Sequence, residues 1–225
     1  MLNFDQQISK IRGWLTKSEA LFLYNVAKST PKEGLIIEIG SWEGRSTICL
    51  GQGCKDGKEA NVFAIDPHTG SSEHRKKWGE VDTYQAFLKN IKVAGVSEYV
   101  HPIKDTSENA AKNFNKQVDF IFVDGAHEYR YVKLDYETWF PKLKVSGLMA
   151  FHDCWHCFGV QAFTAKFLIT SSQVKNPRLV DTLTIAEKVD RNSLWDRALN
   201  FLFVIYRLFF GVVGTIKINY FGGKV

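Results

Sequence analysis

The feature that most constrains the fold is a regular alternation of short apolar runs with longer segments of helical periodicity. Five runs are almost continuously apolar and are bounded by Gly, Asp, Pro or Lys: Leu35–Ile39, Val62–Ile65, Tyr99–Ile103, Val118–Val123 and Leu148–Phe151. An apolar run without polar alternation is typical of a strand that is buried on both faces. Such strands occur in parallel sheets that carry helices on both sides. The alternation therefore predicts an α/β domain with a doubly wound, mostly parallel sheet.

The segments between these runs have apolar residues at helical spacing. They predict helices at Ser18–Ala27, Arg45–Cys54, Asp82–Ala94, Asp105–Phe114 and Tyr129–Leu143. We expect one domain over residues 1–192, with N-terminal helices inside 1–30, and an apolar extension over 193–225.

Charge and cysteine content narrow the class of protein. The formal net charge of the 225-residue chain is +5, and its lysines and arginines form no dense run, which disfavours a nucleic-acid partner. The first ten residues, MLNFDQQISK, contain an acid and no apolar stretch of the signal-peptide kind. Four cysteines are too few and too unevenly spaced for a disulfide framework. These observations together predict a cytoplasmic protein.

Ligands of parallel α/β sheets bind beyond the carboxyl ends of the strands. The residues that directly follow the predicted strands are therefore the candidates for chemistry. Acids, histidines and glycines collect at these positions: Glu38, Gly40, Ser41, Trp42 and Gly44 at the first strand, Asp66 at the second, Asp105 and Thr106 at the third, Asp124 and His127 at the fourth, and His152 and Asp153 at the fifth.

The turn after the first strand, IIEIGSWEGRST over residues 36–47, indicates the cofactor. A dinucleotide-binding turn would need glycines where Trp42 and Arg45 stand, and a P-loop would need a Gly-Lys-Ser/Thr ending. The acid Glu38 instead suits a cationic amine, and Asp66 at the end of the next strand suits a ribose diol. A ligand with an adenosine, an α-amino acid and a positive charge fits both, and S-adenosylmethionine is such a ligand.

With the motifs E-I-G-x-x-x-G-R-S-T, D-G-x-H and H-D, the region from about Gly13 to Val189 resembles the class I S-adenosylmethionine-dependent methyltransferases. Within them it is most similar to a branch related to catechol-type and macrolide-sugar O-methyltransferases. The resemblance implies a Rossmann-like, seven-stranded sheet whose last strand is reversed, with the final hairpin in Arg178–Val189.

The resemblance also implies roles for the residues at the strand ends. It implies that Glu38, Gly40, Ser41 and Gly44 surround the methionine end of the cofactor, with Trp42 and Ser46 in the same turn, that Asp66 binds the ribose, that Asp105 and Thr106 lie near the adenine, and that Asp124 faces the methyl group or a metal. Structural roles are the alternatives. The two glycines serve only the turn in that case, Asp105 only caps a helix, and Asp66 only ends a strand.

Transfer of a methyl group to an alcohol oxygen needs a base, a metal ion or both. The candidate catalytic residues are Asp124, His127, His152 and Asp153, with His127 preferred as the base because a neutral imidazole is available near pH 7. Asp124 and Asp153 are the candidate ligands of a magnesium ion. Related metal-dependent enzymes carry two oxygen ligands after the fifth strand, whereas this chain has His152 followed by Asp153, so a metal-free site remains an equal alternative.

Three other segments add expectations. The stretch HDCWHC over 152–157 lacks a distant second ligand pair, so packing cysteines are favoured over a zinc site. The polar segment Pro67–Val81 predicts either a loop that acts as a lid over the pocket or a solvated loop. The tail is apolar on nearly all sides and is interrupted by Arg207. It predicts attachment to a second subunit, or peripherally to a membrane surface with Arg207 at the rim of the anchor.

The function expected is O-methylation of a hydroxyl group on a sugar or glycan-like or other small molecule. N-methylation and O-methylation of a phenol are the alternatives among enzymes. The alternative outside enzymes is a cofactor-binding partner subunit that has no catalytic activity.

Overall fold

A computed structural model describes residues 8–221, with only the backbone described at 73–74 and 210–221. Seven strands form one sheet in the order β3-β2-β1-β4-β5-β7-β6. The strands are β1 (Leu35–Ile39), β2 (Asn61–Ile65), β3 (Val100–Ile103), β4 (Val118–Val123), β5 (Leu143–Phe151), β6 (Val174–Val180) and β7 (Leu183–Lys188). Strands β1 to β5 are parallel, and β7 pairs antiparallel with both β5 and β6. The predicted fold class is confirmed, including the reversed strand that the resemblance implied.

Eight α-helices of the described region connect and cover these strands. They are α1 (Lys17–Ser29), α2 (Arg45–Asp56), α3 (Ser72–Trp78), α4 (Tyr84–Val93), α5 (Ser107–Lys112), α6 (Tyr129–Trp139), α7 (Phe158–Thr170) and α8 (Leu194–Phe221), and a 3-10 turn follows α6 at Phe140–Lys142. The α7 helix is absent from the sequence prediction. The lid segment, which we expected to be a loop, contains the short helix α3.

The sheet separates two hydrophobic cores. The first lies under α1, α2 and α4 and includes Ile36, Phe120 and Phe122. The second lies on the opposite face under α6 and α7 and includes Ile37 and Ile121. Consecutive strand residues point to opposite faces. Each central strand therefore contributes to both cores, which explains why its sequence is apolar without alternation.

Element boundaries differ from the prediction where polar residues belong to a regular element. Strand β5 begins at Leu143 and not at Leu148, because its first half runs along the rim, where Val145 and Ser146 are exposed. Helix α5 begins after Thr106, whose hydroxyl accepts a hydrogen bond from the backbone N–H of Asn109. The α6 helix ends at Trp139, before Pro141 and not at Leu143.

Helix α8 packs one narrow face on the domain. Asn200, Val204 and Arg207 are buried, whereas Trp195 and Tyr206 are exposed. The guanidinium of Arg207 donates to Thr164 Oγ1 at 2.6 Å and Thr184 Oγ1 at 3.0 Å, so it lies in the interior and not at the rim of an anchor as expected.

The structure also bears on the predicted role of the tail. Within the part of the chain that the structure describes, no helix combines the length and apolar character that crossing a membrane requires. Attachment of the tail to a second subunit or to a membrane surface stays a prediction.

Candidate active site

A cavity of about 330 Å³ opens at the carboxyl ends of β1 and β4, where the strand order reverses. Eight of the predicted site residues line it: Gly40, Trp42, Asp66, Thr106, Asp124, His127, His152 and Asp153. A neighbouring cavity of about 40 Å³ is lined by Ser41 and Ser46 and also reaches Gly40, Trp42 and Asp124. Glu38, Gly44 and Asp105 belong to the lining of neither cavity. The reversal of strand order is the expected ligand position in such a sheet.

The turn between β1 and α2 requires glycine where the chain passes Asp124. Gly40 has a φ of +89°, and a Cβ atom on it would lie 2.1 Å from the carbonyl oxygen of Asp124. Gly44 has a φ of +90° and is the N-cap residue of α2. Between them Trp42 has a φ of +48°, which is rare for a bulky residue and occurs where the surrounding structure imposes it. The alternative that the glycines shape the turn is therefore also true.

The carboxylate of Asp66 is held from two sides. Its Oδ2 accepts the backbone N–H of Trp42 at 2.8 Å, and its Oδ1 accepts that of His68 at 2.6 Å. Each carboxylate oxygen has a further lone pair. Asp66 lines the cavity, so these remaining lone pairs suit the two hydroxyls of a ribose.

The polar groups near the turn fit the amino-acid end of S-adenosylmethionine. Ser41 is 1% exposed, and its hydroxyl has no hydrogen-bond partner in the structure. A buried hydroxyl without a partner costs free energy. Ser41 lines the smaller cavity, so a polar ligand group there could satisfy its hydroxyl. The site thus offers glycine, hydroxyl and carboxylate groups to the methionine and ribose parts of this cofactor.

Glu38 lies beneath the turn and not in the cavity wall. It is fully buried, and its two carboxyl oxygens accept hydrogen bonds from the hydroxyls of Ser46 and Thr47. Burial raises the pKa of Glu38 to about 8, although these two hydrogen bonds act in the opposite direction. Glu38 therefore ties β1 to the start of α2, and its expected role towards the amine of the cofactor stays a prediction.

The raised pKa of Glu38 predicts a pH effect on stability. The folded protein retains a proton on Glu38 that the unfolded chain loses near its ordinary pKa of 4.5. The stabilisation that this bound proton gives the fold is therefore complete below pH 4.5 and is lost as the pH rises through about 8. We expect the melting temperature of Glu38→Gln to fall less than that of the native protein between pH 6 and pH 9, values that bracket the folded pKa of about 8.

A matched control for this prediction is Glu98→Gln, at an exposed glutamate. Thermal unfolding of the three proteins at a series of pH values provides the measurement. Parallel curves for the native protein and Glu38→Gln would contradict a protonated Glu38 in the fold.

His152 is buried in a network of carboxylates at the back of the cavity. Its Nδ1 lies 3.0 Å from Asp124 Oδ1 and its Nε2 lies 3.3 Å from Glu19 Oε2. Burial by itself lowers the pKa of His152, but Asp124, Asp153 and Glu19 outweigh it and raise the pKa well above its ordinary value. His152 is accordingly an imidazolium near neutral pH and has no lone pair with which to act as a base. Its ring lies in contact with Asp124 and Asp153, and its expected catalytic role stays a prediction.

Glu19 on α1 is a site-supporting residue that the sequence analysis missed. Burial raises the pKa of Glu19, but its hydrogen bond and charge interaction with His152 prevail and bring that pKa to about 2. Its Oε1 also accepts hydrogen bonds from the backbone and side chain of Thr182, at 2.9 and 2.7 Å. In the sequence, the Thr16–Glu19 pair indicates only a helix capping box, which the structure also contains.

His127 and Asp153 form a second pair at the cavity. Nε2 of His127 lies 3.3 Å from Oδ2 of Asp153, and each side chain is about one-fifth exposed. Burial raises the pKa of Asp153, yet the hydrogen bond and charge of His152 outweigh it and hold the pKa below its ordinary value. An ionised carboxylate next to a histidine orients the ring and stabilises its protonated form. The role of His127 as the base stays a prediction.

Two further residues from the sequence analysis, Asp105 and Cys154, make hydrogen bonds to nearby residues. Asp105 accepts hydrogen bonds from the backbone of Thr106 and the side chain of Asn109, but the residue that caps α5 is Thr106, so the expected place of Asp105 near the adenine stays a prediction. In the HDCWHC stretch, Cys154 is buried and its thiol donates a hydrogen bond to the carbonyl oxygen of Phe151, as expected of a packing residue.

Several cavity residues were not predicted. Trp14, Ser107, Tyr131, Leu134 and Asp135 also line the cavity. They lie before α1, in α5 and in α6, outside the strand ends that the sequence pattern singles out. Burial raises the pKa of Asp135 to about 6, against a weaker opposing hydrogen bond from Ser107.

Comparison with known proteins identifies the family. A family model described as a methyltransferase domain matches residues 37–154, which is more than half of the chain. An uncharacterized protein of Sinorhizobium fredii is 33% identical over 135 residues, which are 58% of this chain and 14% of that protein. An uncharacterized protein of Acanthamoeba polyphaga mimivirus is 30% identical over 135 residues, which are 58% of this chain and 57% of that protein. The chain thus spans only part of the length of both curated relatives.

Solved structures share the fold. The O-methyltransferase NovP has a TM-score of 0.62 at 14% identity, over 76% of this chain and 80% of its own. The O-methyltransferase TomG from Streptomyces achromogenes, in complex with S-adenosylmethionine, has a TM-score of 0.57 at 15% identity, over 78% and 82%. The sheet order and the matched family agree with the family resemblance seen in the sequence. The chain belongs to the class I S-adenosylmethionine-dependent methyltransferases.

Proposed function

We propose that the protein transfers the methyl group of S-adenosylmethionine to a hydroxyl group of a sugar-like or other ring-bearing small molecule. The observation that carries the proposal is the arrangement of the cavity. Asp66 stands on one side as a ribose acceptor, and the pair His127–Asp153 stands on the other with Asp124 between them along the sheet edge. Cofactor and proton acceptor therefore face one space.

The reaction is an in-line displacement in which the acceptor oxygen attacks the methyl carbon. When bound, S-adenosylmethionine supplies a methyl group on a sulfonium, whose carbon–sulfur bond breaks as the new carbon–oxygen bond forms, with the electron pair passing to sulfur. His127 takes the proton of the acceptor hydroxyl, and Asp153 stabilises the imidazolium that results. Asp124 lies at the same edge, where its carboxylate can hold the acceptor hydroxyl for the attack.

The chemistry of the cavity mouth supports a ring-bearing acceptor. Trp14 and Trp42 both line the cavity, and their ring centroids are 6.5 Å apart. Trp78 of the lid helix α3 stacks on Trp14 with centroids 6.2 Å apart. Flat aromatic surfaces of this kind suit the faces of sugar or aromatic rings. Two of the similar structures are named O-methyltransferases, which favours oxygen over nitrogen as the acceptor atom.

A transfer assay separates the functional alternatives. The purified chain is incubated with cofactor labelled in its methyl group and with sets of hydroxylated sugars, phenols and amines. We expect label in a sugar or other ring-bearing hydroxyl compound, identified by mass spectrometry. Label in amines alone would establish N-methylation. Cofactor binding without transfer to any set would favour the cofactor-binding partner subunit.

Cofactor binding is expected to depend on Asp66. Loss of a hydrogen bond to a charged group costs about 1.5–3 kcal/mol, so Asp66→Ala should raise the Kd of S-adenosylmethionine by about 10- to 150-fold for each bond lost. Isothermal titration calorimetry measures this Kd directly.

Asp82→Ala is the matched control, since Asp82 is exposed, accepts a hydrogen bond from the backbone of Tyr84 and lies outside both cavities. Equal Kd values for the native protein and Asp66→Ala would place the ribose elsewhere.

A further inference from the structure

Two carboxylates converge at the back of the cavity and need a counter-charge. Asp124 follows β4 and Asp153 follows β5, and these two strands are neighbours in the sheet. Ligand atoms of Asp124, His152 and Asp153 lie within 4.8 Å of one another. A pair of partly buried carboxylates can be neutralised by a divalent cation or by a positively charged side chain. The position of His152 decides between them.

The ring of His152 occupies the space between the two carboxylates. Its Nδ1 lies 3.0 Å from Asp124 Oδ1 and 3.5 Å from Asp153 Oδ2. Magnesium needs near-octahedral oxygen ligands at about 2.0–2.1 Å. A cation bound to both carboxylates at such distances would compete with the imidazole for the same place. The donor set therefore does not fit a magnesium-type ion while His152 keeps this position.

The second ring nitrogen of His152 is also committed. Nε2 lies 3.3 Å from Oε2 of Glu19. Since each ring nitrogen faces a carboxylate oxygen, each carries a hydrogen, and a ring in that form cannot act as a metal ligand.

The position of the ring is fixed by its surroundings. Glu19 is 1% exposed and is anchored by Thr182 and by the backbone N–H of Thr16, at 2.9 Å. The ring itself is 4% exposed, and Phe122 meets it edge-on at 6.1 Å between centroids. The ring therefore has little room to turn away from the carboxylate pair.

We propose that the imidazolium of His152 is the built-in counter-ion of the Asp124–Asp153 pair and takes the place of a magnesium-type cation there. Glu19 completes the arrangement by holding the far side of the ring. The positive charge that holds Asp124 and Asp153 in place for acceptor binding then comes from the side chain of His152, and no divalent cation lies between the two carboxylates. The consequence for catalysis rests on the proposed methyl transfer, whereas the consequence for metal binding is independent of it.

The direct test measures binding of Mn²⁺, as a probe for magnesium sites, by calorimetry. The native protein is expected to show no saturable binding at millimolar Mn²⁺. The variant His152→Asp removes the internal cation and adds a carboxylate between the existing two, so it is expected to gain a site that Mg²⁺ displaces. The control His156→Asp introduces the same residue at an exposed position of the same stretch, and is expected to gain none.

Two outcomes of this measurement overturn the proposal. One is saturable Mn²⁺ binding by the native protein that Asp124→Asn abolishes. The other is a folded His152→Asp variant, as judged by circular dichroism, that binds no more Mn²⁺ than His156→Asp. Should His152→Asp not fold, His152→Asn also removes the cation and offers an amide oxygen. That variant is expected to bind Mn²⁺ measurably, and a folded His152→Asn without binding counts against the proposal.

Methyl transfer provides a second readout. Once an acceptor is known, the native rate is expected to be unchanged by a chelator and by added Mg²⁺. A rate that the chelator abolishes and Mg²⁺ restores would overturn the proposal. If no acceptor is methylated, the proposed function fails, but the calorimetric result still decides whether His152 occupies the cation position.

Discussion

Replacing His127 by alanine is expected to lower the rate of methyl transfer by about 10²- to 10⁴-fold, the usual contribution of a positioned general base. The reason lies in the division of work between the two histidines of the site. His152 has carboxylates at both ring nitrogens and a pKa raised by them, so it cannot take up a proton from an acceptor. His127 lines the cavity and has Asp153 at its Nε2 to stabilise the protonated ring.

The measurement is the rate at saturating cofactor and acceptor, together with calorimetric binding of S-adenosylmethionine. Cofactor affinity is expected to stay near the native value in His127→Ala, because His127 acts on the acceptor side. His156→Ala is the control, since His156 is exposed and lines neither cavity. A His127→Ala variant that folds and transfers methyl groups at the native rate would show that the base lies elsewhere, with Asp124 the next candidate.

The general position of the site could be predicted because it depends on the order of elements. Parallel strands with continuous apolar sequences place their carboxyl ends on one edge, so residues distant in the chain, such as Asp66, Asp124 and Asp153, were expected to lie together. The structure brings these three to one cavity. The same argument cannot give side-chain direction. Glu38 and Gly40 are two residues apart in the turn region, yet Glu38 points under α2 while Gly40 borders the cavity.

Residues with two roles were the hardest to predict. Glu19 belongs to the helix capping box that it forms with Thr16. Its contact with His152 joins residues 133 positions apart, and no local pattern carries that information. For Arg207 the local sequence pattern was misleading. A charge inside an apolar run suggested an exposed rim, but hydroxyls of Thr164 and Thr184 from α7 and β7 satisfy its guanidinium inside the fold.

Helix α7 was missed for a related reason. Its sequence, FGVQAFTAKFLIT, is apolar on several sides and shows little contrast between a buried and a solvent face. The structure packs it between α6 and α8, and Phe163 and Phe167 enter the core while Ile169 stays exposed. Hydrophobic periodicity detects helices that have one face exposed to solvent. A helix that is covered on two sides gives a much weaker signal.

Substitution of Gly40 by alanine is expected to abolish measurable cofactor binding and to destabilise the fold. An L-residue in the left-handed region costs roughly 1–2 kcal/mol in backbone energy alone. At Gly40 the new Cβ would also lie 2.1 Å from Asp124 O and 2.6 Å from the carbonyl carbon of that residue. Neither atom belongs to a flexible side chain, so the turn after β1 or the end of β4 must move.

Gly79→Ala separates the two causes. Gly79 has a φ of +77°, and a Cβ there would meet nothing within 4 Å, so this variant carries the backbone cost without the collision. We expect Gly79→Ala to melt at a modestly lower temperature and to bind S-adenosylmethionine normally, while Gly40→Ala loses both stability and calorimetric binding. Equal cofactor affinities in the two variants would mean that the cofactor does not depend on the close approach of the β1 turn to Asp124. In that case the position assigned to the methionine end of the cofactor would be wrong. That position depends on the close contact between the β1 turn and Asp124, which is also the contact that leaves no room for a Cβ atom on Gly40.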